Sequence, residues 1–422
     1  MSTSLKNRRF VAAAALASSI ACAAATGPHD GGSQAPALDA LPRSLTGAER
    51  STITAANEFS LSLFRTVSAA QKDSNVFMSP LSASMALGMA TNGASGATFD
   101  QMRAALSLGG VSPADIDAGY KGLIALLRGL DPAVQLGVAN SVWYRNDFPI
   151  QQSFLDVVTS SFDARASALD FGNPASAGTI NGWVNDATGG RIPSIIDRIR
   201  QQDVMFLINA IYFKGSWRDR FDAAQTRDAS FHGVTGDRPM RLMQRSGNVR
   251  YFATGDLQAA DLPYGNGAFN MTVLLPREGL GVEALAVSLQ TSQSLFSTDQ
   301  FREMDVDFAM PRFELQWERS LNGDLKTLGM RDAFDAGAAD FTRMSPRGRE
   351  LYLTVVKQKT FVEVNEEGTE AAAVTSVGVG VTSLPTRPTM RVDRPFIFII
   401  RERLSGTILF MGKIVTLPER AH

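Results

Sequence analysis

The stretch from Thr360 to Ser383 constrains this chain more than any other, because it reads as two strand patterns meeting at a hinge. Thr360-Phe361-Val362-Glu363-Val364-Asn365 alternates apolar and polar residues with the period of a half-buried β-strand. Beyond Gly368, the residues Ala371, Ala373, Thr375, Val377, Val379 and Val381 fall on one parity. Glu370, Ala372, Ser376, Gly378 and Gly380 fall on the other, with Val374 the bulky exception. Gly and Ala are depleted in strands that hold themselves together. Small residues do let a segment slide between neighbouring strands without overpacking, and glycine absorbs the change in φ and ψ that such a movement requires. Taken alone, the same composition also suits an ordinary flexible loop.

Elsewhere the pattern alternates between helix and strand without strict βαβ order, which points to an α+β fold. Helical spacing runs from Ala48 to Ala70. Ser79 and Pro80 then make a cap and first position for a buried helix reaching about Asn92. Further helices are expected around Phe99 to Leu106, Asp115 to Leu130 and Ser153 to Phe162, flanking a strand from Val134 to Tyr144. Val204 to Trp217 is a nearly continuous apolar run, as expected of a strand buried on both faces. Asp393 to Arg401 and Gly406 to Lys413 read as two apolar strands joined by a turn. The latter is not a phosphate loop, since its glycine spacing is one residue too long and Ile414 stands where Ser or Thr is needed. Asn270-Met271-Thr272 is a glycosylation sequon inside an apolar strand, so it is expected to be buried.

Several of these segments resemble the serpins, serine-protease inhibitors that trap a protease by inserting a cleaved loop into their own central sheet. The hinge of inhibitory serpins is acidic, then Gly, Thr, Glu and a run of alanines, and Glu366-Glu367-Gly368-Thr369-Glu370-Ala371-Ala372-Ala373 matches it. Asn75 to Ser82 is similar to the segment whose two serines, here Ser79 and Ser82, support the point where the sheet opens. The run through Asn209 to Trp217 is similar to the strand that borders the gap. Met310-Pro311-Arg312-Phe313 is similar to the strand on the far side, where a basic residue, Arg312, pairs with Glu366. Gln358 stands where many serpins carry a histidine; an amide makes the same hydrogen bonds but does not titrate near neutral pH. Asn181 to Val184 and Thr188 to Ile192 also resemble a serpin signature, although packing around Trp183 explains them as well.

The resemblance covers about residues 46–418. It implies a single serpin domain with a large central mixed β-sheet, additional sheets, about eight to nine helices and an exposed reactive loop, with hinge and loop over 366–394. It implies a monomeric serine-type endopeptidase inhibitor acting as a suicide substrate, whose partner is a target serine protease held as a covalent acyl-enzyme. In many inhibitory members the cleaved residue lies fourteen after the hinge glycine, here Thr382-Ser383, with Val381 to Leu384 the allowed range. Val381 and Thr382 suit elastase-like or subtilisin-like proteases. A non-inhibitory serpin acting as binding protein or chaperone is the alternative.

Composition agrees with a folded, non-catalytic protein. The 422 residues are 44% hydrophobic and 20% charged with a formal net charge of −1, ample for a core and without the basic excess that nucleic acid requires. Three histidines (His29, His232 and His422), no Gly-x-Ser-x-Gly elbow and no His/Cys cluster speak against an enzyme or a metal site, and no cofactor is expected. Residues 1–21 read as an export signal, with Lys6, Arg8 and Arg9 before an apolar run. Cys22, the only cysteine, follows Ala21 as in bacterial lipoprotein signals. An exported protein, extracellular or periplasmic, is therefore expected, with a disordered tether over 22–45; either lipid on Cys22 attaches it to a membrane, or signal peptidase cleaves within Ala21 to Ala25 and no lipid is added.

Overall fold

Ser, Thr and Pro at helix starts set the helical layer. Thr46 caps helix α1 (Gly47–Ala70) through a capping box in which Glu49 N donates to Thr46 Oγ1 at 3.1 Å and Thr46 N donates to the Glu49 carboxylate at 2.7 Å. Ser79 and Pro80 start α2 (Pro80–Gly93) as the sequence predicts. The computed structural model describes residues 36–291, 300–369 and 387–417. Among these are six further α-helices: α3 (Gly96–Ala105), α4 (Pro113–Leu127), α5 (Gln152–Phe162), α6 (Ala175–Ala187), α7 (Val282–Thr291) and α8 (Asn322–Thr327). Helix α4 starts two residues earlier than expected because Ser112 caps it and Pro113 takes its first position.

Two sheets carry the strands. In the six-stranded sheet the order is β10 (Phe313–Ser320), β11 (Lys357–Asn365), β12 (Gly368–Thr369), β4 (Met205–Ser216), β2 (Val134–Arg145) and β3 (Ala164–Leu169). Every pair is antiparallel except β2 with β3, so this sheet is mixed. The second sheet runs β1 (Val76–Met78), β15 (Ile408–Ile414), β14 (Phe396–Glu402), β8 (Phe269–Pro276), β7 (Leu257–Pro263), β6 (Gly236–Ala253), β9 (Arg302–Pro311) and β13 (Thr389–Arg391), with β5 (Arg227–Gly233) on β6. β13 pairs with β9 in parallel over only three positions. Helix α2 is buried nearly all round because it packs against both β4 and β15. The sequon residue Asn270 is buried within β8, as expected.

Two expectations change. The tether predicted over 22–45 does not extend to 45: Leu38 N donates to Asn266 O at 2.9 Å, Arg403 donates to Leu38 O, and Leu38, Leu41 and Leu45 pack on the core. Three leucines at this spacing have apolar area to bury, which outweighs the loop-like composition around them. The hinge and loop predicted over 366–394 are likewise not exposed throughout, since Glu366 to Thr369 are buried and 389–391 form β13.

Candidate functional site

The central sheet is parted. β12 is two residues long and lies between β11 and β4, pairing Gly368 with Asn365 and Ser216, and Thr369 with Val364 and Gly215. Beyond Thr369, and among the described residues, β4 over 205–211 and β11 over 357–363 have ladder partners on their outer edges only. Between them lies a cavity of about 360 Å³, floored by α2. Two strand edges facing a gap present the backbone groups that strand addition uses.

The mouth of this cleft is built by the turn from β11 into β12. Asn365 Oδ1 accepts from Glu367 N at 3.0 Å and Gly368 N at 3.3 Å, which closes the turn over the two acidic residues. Gly368 has φ +154°, and a Cβ there would lie 2.1 Å from Gly215 O, so only glycine can sit this close to β4. Trp217 holds the turn from the β4 side: its N donates to Glu367 O at 2.7 Å and its Nε1 to Asn365 O at 2.9 Å. Phe221 N donates to Glu366 O at 2.9 Å. The Glu366 carboxylate accepts from Thr226 Oγ1 at 2.8 Å and lies 3.6 Å from the Arg312 guanidinium, so the predicted Arg312–Glu366 pair forms. Arg312 is half exposed, so this pair contributes more to register than to stability.

Tyr264 completes the mouth. Its ring stacks on Trp217 at 4.4 Å between centroids, and its hydroxyl hydrogen-bonds Thr369 Oγ1 at 2.8 Å. Burial pushes the Tyr264 hydroxyl well above the ordinary tyrosine range, against the hydrogen bond with Thr369, so it stays neutral. Thr369 is thus already seated under the sheet at 2% exposure.

Lower down, α2 staples both strands from the inner side. Ser79 N donates to Gln358 Oε1 at 3.1 Å and Gln358 Nε2 to Ser79 O at 2.7 Å, a closed pair between helix and β11. Ser82 Oγ reaches Asn209 O on β4 at 3.3 Å, and Asn209 Nδ2 reaches Asn140 Oδ1 on β2 at 2.6 Å. Ser79 Oγ donates to Leu409 O at 2.8 Å, which ties the staple to the second sheet. The predicted residues Ser79, Ser82, Asn209, Trp217, Arg312, Gln358, Glu366, Glu367, Gly368 and Thr369 therefore converge on one cleft. Glu370, Ala371, Ala372, Ala373, Thr382, Ser383 and Cys22 lie outside the described residues. Tyr264 and the hydroxyl of Thr226 were not singled out as partners; each lies more than a hundred residues from the hinge, and no local spacing signals the contact.

An α+β fold whose central sheet is parted beside a two-residue hinge strand defines a protein built around strand addition. The chain matches the family described as serpin (serine protease inhibitor) over residues 54–417. It is 35% identical over 379 residues to an uncharacterized serpin-like protein of Thermococcus kodakarensis, covering 87% of this chain and 86% of that protein. The native crystal structure of the thermophilic serpin tengpin superposes with a TM-score of 0.78 at 28% identity, covering 91% of this chain and 97% of that one. Human thyroxine-binding globulin superposes with the same TM-score at 26% identity, covering 88% and all of that chain. The chain belongs to the serpin family, whose members are generally protease inhibitors and not enzymes.

Proposed function

We propose that this protein traps a serine protease by inserting its own cleaved loop into the β4–β11 cleft. The protease serine attacks the carbonyl carbon of the cleaved residue. The peptide bond to the next residue breaks, and the new amine leaves with its proton while the acyl group stays on the protease. The observation that carries this reading is the register of β12. It runs antiparallel to both β4 and β11, so a strand continuing from Thr369 enters the gap and finds backbone partners on both sides. From Gly215 to Met205 β4 offers an edge of roughly 33 Å at about 3.3 Å per residue. Each added hydrogen bond contributes about 0.5–1.5 kcal/mol net, so a full strand supplies on the order of 10 kcal/mol against the protease's active site. Displacing catalytic groups by about 1 Å already slows deacylation.

The test is to cut the loop with a non-target protease and compare melting temperatures. Trapping by insertion predicts a large rise on cleavage, together with a covalent complex that survives denaturing electrophoresis. Thyroxine-binding globulin, by its name a binder of thyroxine, stands for the competing class, a non-inhibitory binding protein; no rise and no complex would favour that class.

The reactive bond is placed at Thr382-Ser383. Thr382→Arg is then expected to redirect inhibition from elastase-like or subtilisin-like proteases to trypsin-like ones, which take a cation in an acidic pocket. Unchanged elastase inhibition with no gain against trypsin places the bond elsewhere. The protein is proposed to act as a monomer outside the cytoplasm, without cofactor, and to be held at a membrane by lipid on Cys22. In that case Cys22→Ser moves it from the membrane to the soluble fraction; finding unaltered protein already soluble removes the anchor.

A further inference from the structure

We propose that Lys214 is a positioning residue for insertion: it takes the carboxylate of Glu370, the second residue of the entering strand, against the repulsion of glutamates on the other side of the cleft. This rests on the trapping reading above. The register of β12 fixes the place. Thr369 stands opposite Gly215 on one side and Val364 on the other, so a strand that continues antiparallel to both puts residue 370 between Lys214 of β4 and Glu363 of β11. Thr369 turns its hydroxyl under the sheet to Tyr264, and strand side chains alternate, so the next residue faces outward. Lys214 and Glu363 share that outer face, because Phe213 packs beneath the sheet on Tyr264 and Phe269 while Val362 and Val364 are buried.

The charges along this row are uneven. Glu363 lies directly opposite Glu314 of β10, and like charges in that position repel. On the other side of the gap, the residue opposite Lys214 on β2 is Gln135, which is neutral. Among the described residues, no carboxylate forms an ion pair with Lys214 and no cation forms one with Glu363 or Glu314. Glu363 does accept from Asn365 Nδ2 at 3.2 Å, and Asn365 Oδ1 closes the hinge turn on Glu367 N and Gly368 N. A third carboxylate entering the row beside Glu363 therefore meets attraction from Lys214 alone, and without Lys214 it meets repulsion only. Residue 370 is the first to enter below the seated Thr369, so this balance acts on the earliest step, where insertion competes with release of the protease.

The test uses uptake of an N-acetylated synthetic peptide with the sequence of residues 370–382 by the intact protein, followed by the rise in melting temperature, beside the same peptide carrying Glu370→Lys. Two variants of the protein separate the two sides of the cleft. Lys214→Gln removes the cation, and Glu363→Gln removes the facing charge while keeping an acceptor for Asn365. Glu363→Gln is expected to take up the glutamate peptide about two- to fivefold faster than the lysine peptide, the factor that a cross-strand charge pair commonly represents. Lys214→Gln is expected to reverse that order, whereas a merely structural role for Lys214 would slow both peptides alike. Salt at about 1 M should shrink both preferences, since Lys214 and Glu363 are partly exposed. Equal uptake of the two peptides by both variants, or preferences untouched by salt, overturns the role of Lys214 and leaves trapping intact. Failure of wild type to take up either peptide and to gain stability on cleavage overturns both.

Discussion

Thr369→Arg is expected to turn the inhibitor into a substrate: the loop is still cut, but the covalent complex no longer accumulates. Thr369 is 2% exposed between β11 and β4, with its hydroxyl on Tyr264 and, among the described residues, no acidic side chain hydrogen-bonded to it. An arginine there is an unpaired charge under the sheet. A cost of about 3 kcal/mol falls on the seated state and drives β12 out of the cleft mouth, so the seating that insertion continues from is lost; trapping then slows roughly hundredfold while acylation, which takes place elsewhere on the loop, does not. Because Thr369 is already seated, the intact protein also loses stability. The measurement is the ratio of complex to cleaved inhibitor, with denaturant midpoints of the intact protein beside it. An undiminished covalent complex would mean that insertion does not begin at this residue.

The second large effect concerns the body of the protein. Asp261→Asn should lower stability by about 3–5 kcal/mol, the usual result of removing one partner from a buried ion pair. Arg401 on β14 is fully buried and its Nη2 donates to both Asp261 oxygens, at 3.3 and 3.0 Å, while its Nε donates to Thr272 at 3.1 Å. Arg250 lies 3.9 Å from the same carboxylate. Neutralising Asp261 replaces the carboxylate that the fully buried Arg401 faces by a neutral amide. A fall of several degrees in melting temperature, without change in the ratio of complex to cleaved product, is the expected result. A melting temperature within a degree of wild type would show that the pair adds nothing there.

Much of the site is legible along the chain because it depends on local chemistry. Glu366 to Ala373 announce a segment that can change partners, since small residues and a glycine permit it wherever the segment lies. Ser79 and Pro80 announce the start of α2, because an orphan N–H at a helix start needs an acceptor and proline has no N–H to satisfy. The paired strands β14 and β15 are legible because every residue of both is buried, and β4 is legible from its apolar run although only half of its residues are fully buried. The anchored span from Leu38 to Leu45 is not legible in the sequence, because Pro and Asp dominate around three leucines whose packing is set by residues far along the chain.

By itself the sequence determined the strands β2, β4, β8, β11, β14 and β15, the cap of α2 and the hinge composition. Only the tertiary structure decided that β12 is already seated at the cleft mouth and that Tyr264 and Thr226 hold the hinge there. Periodicity and capping report how a residue meets its neighbours within a few positions. Pairings such as Trp217 with Asn365 arise from the register of strands closed over long loops, and many side chains would fit any one local pattern.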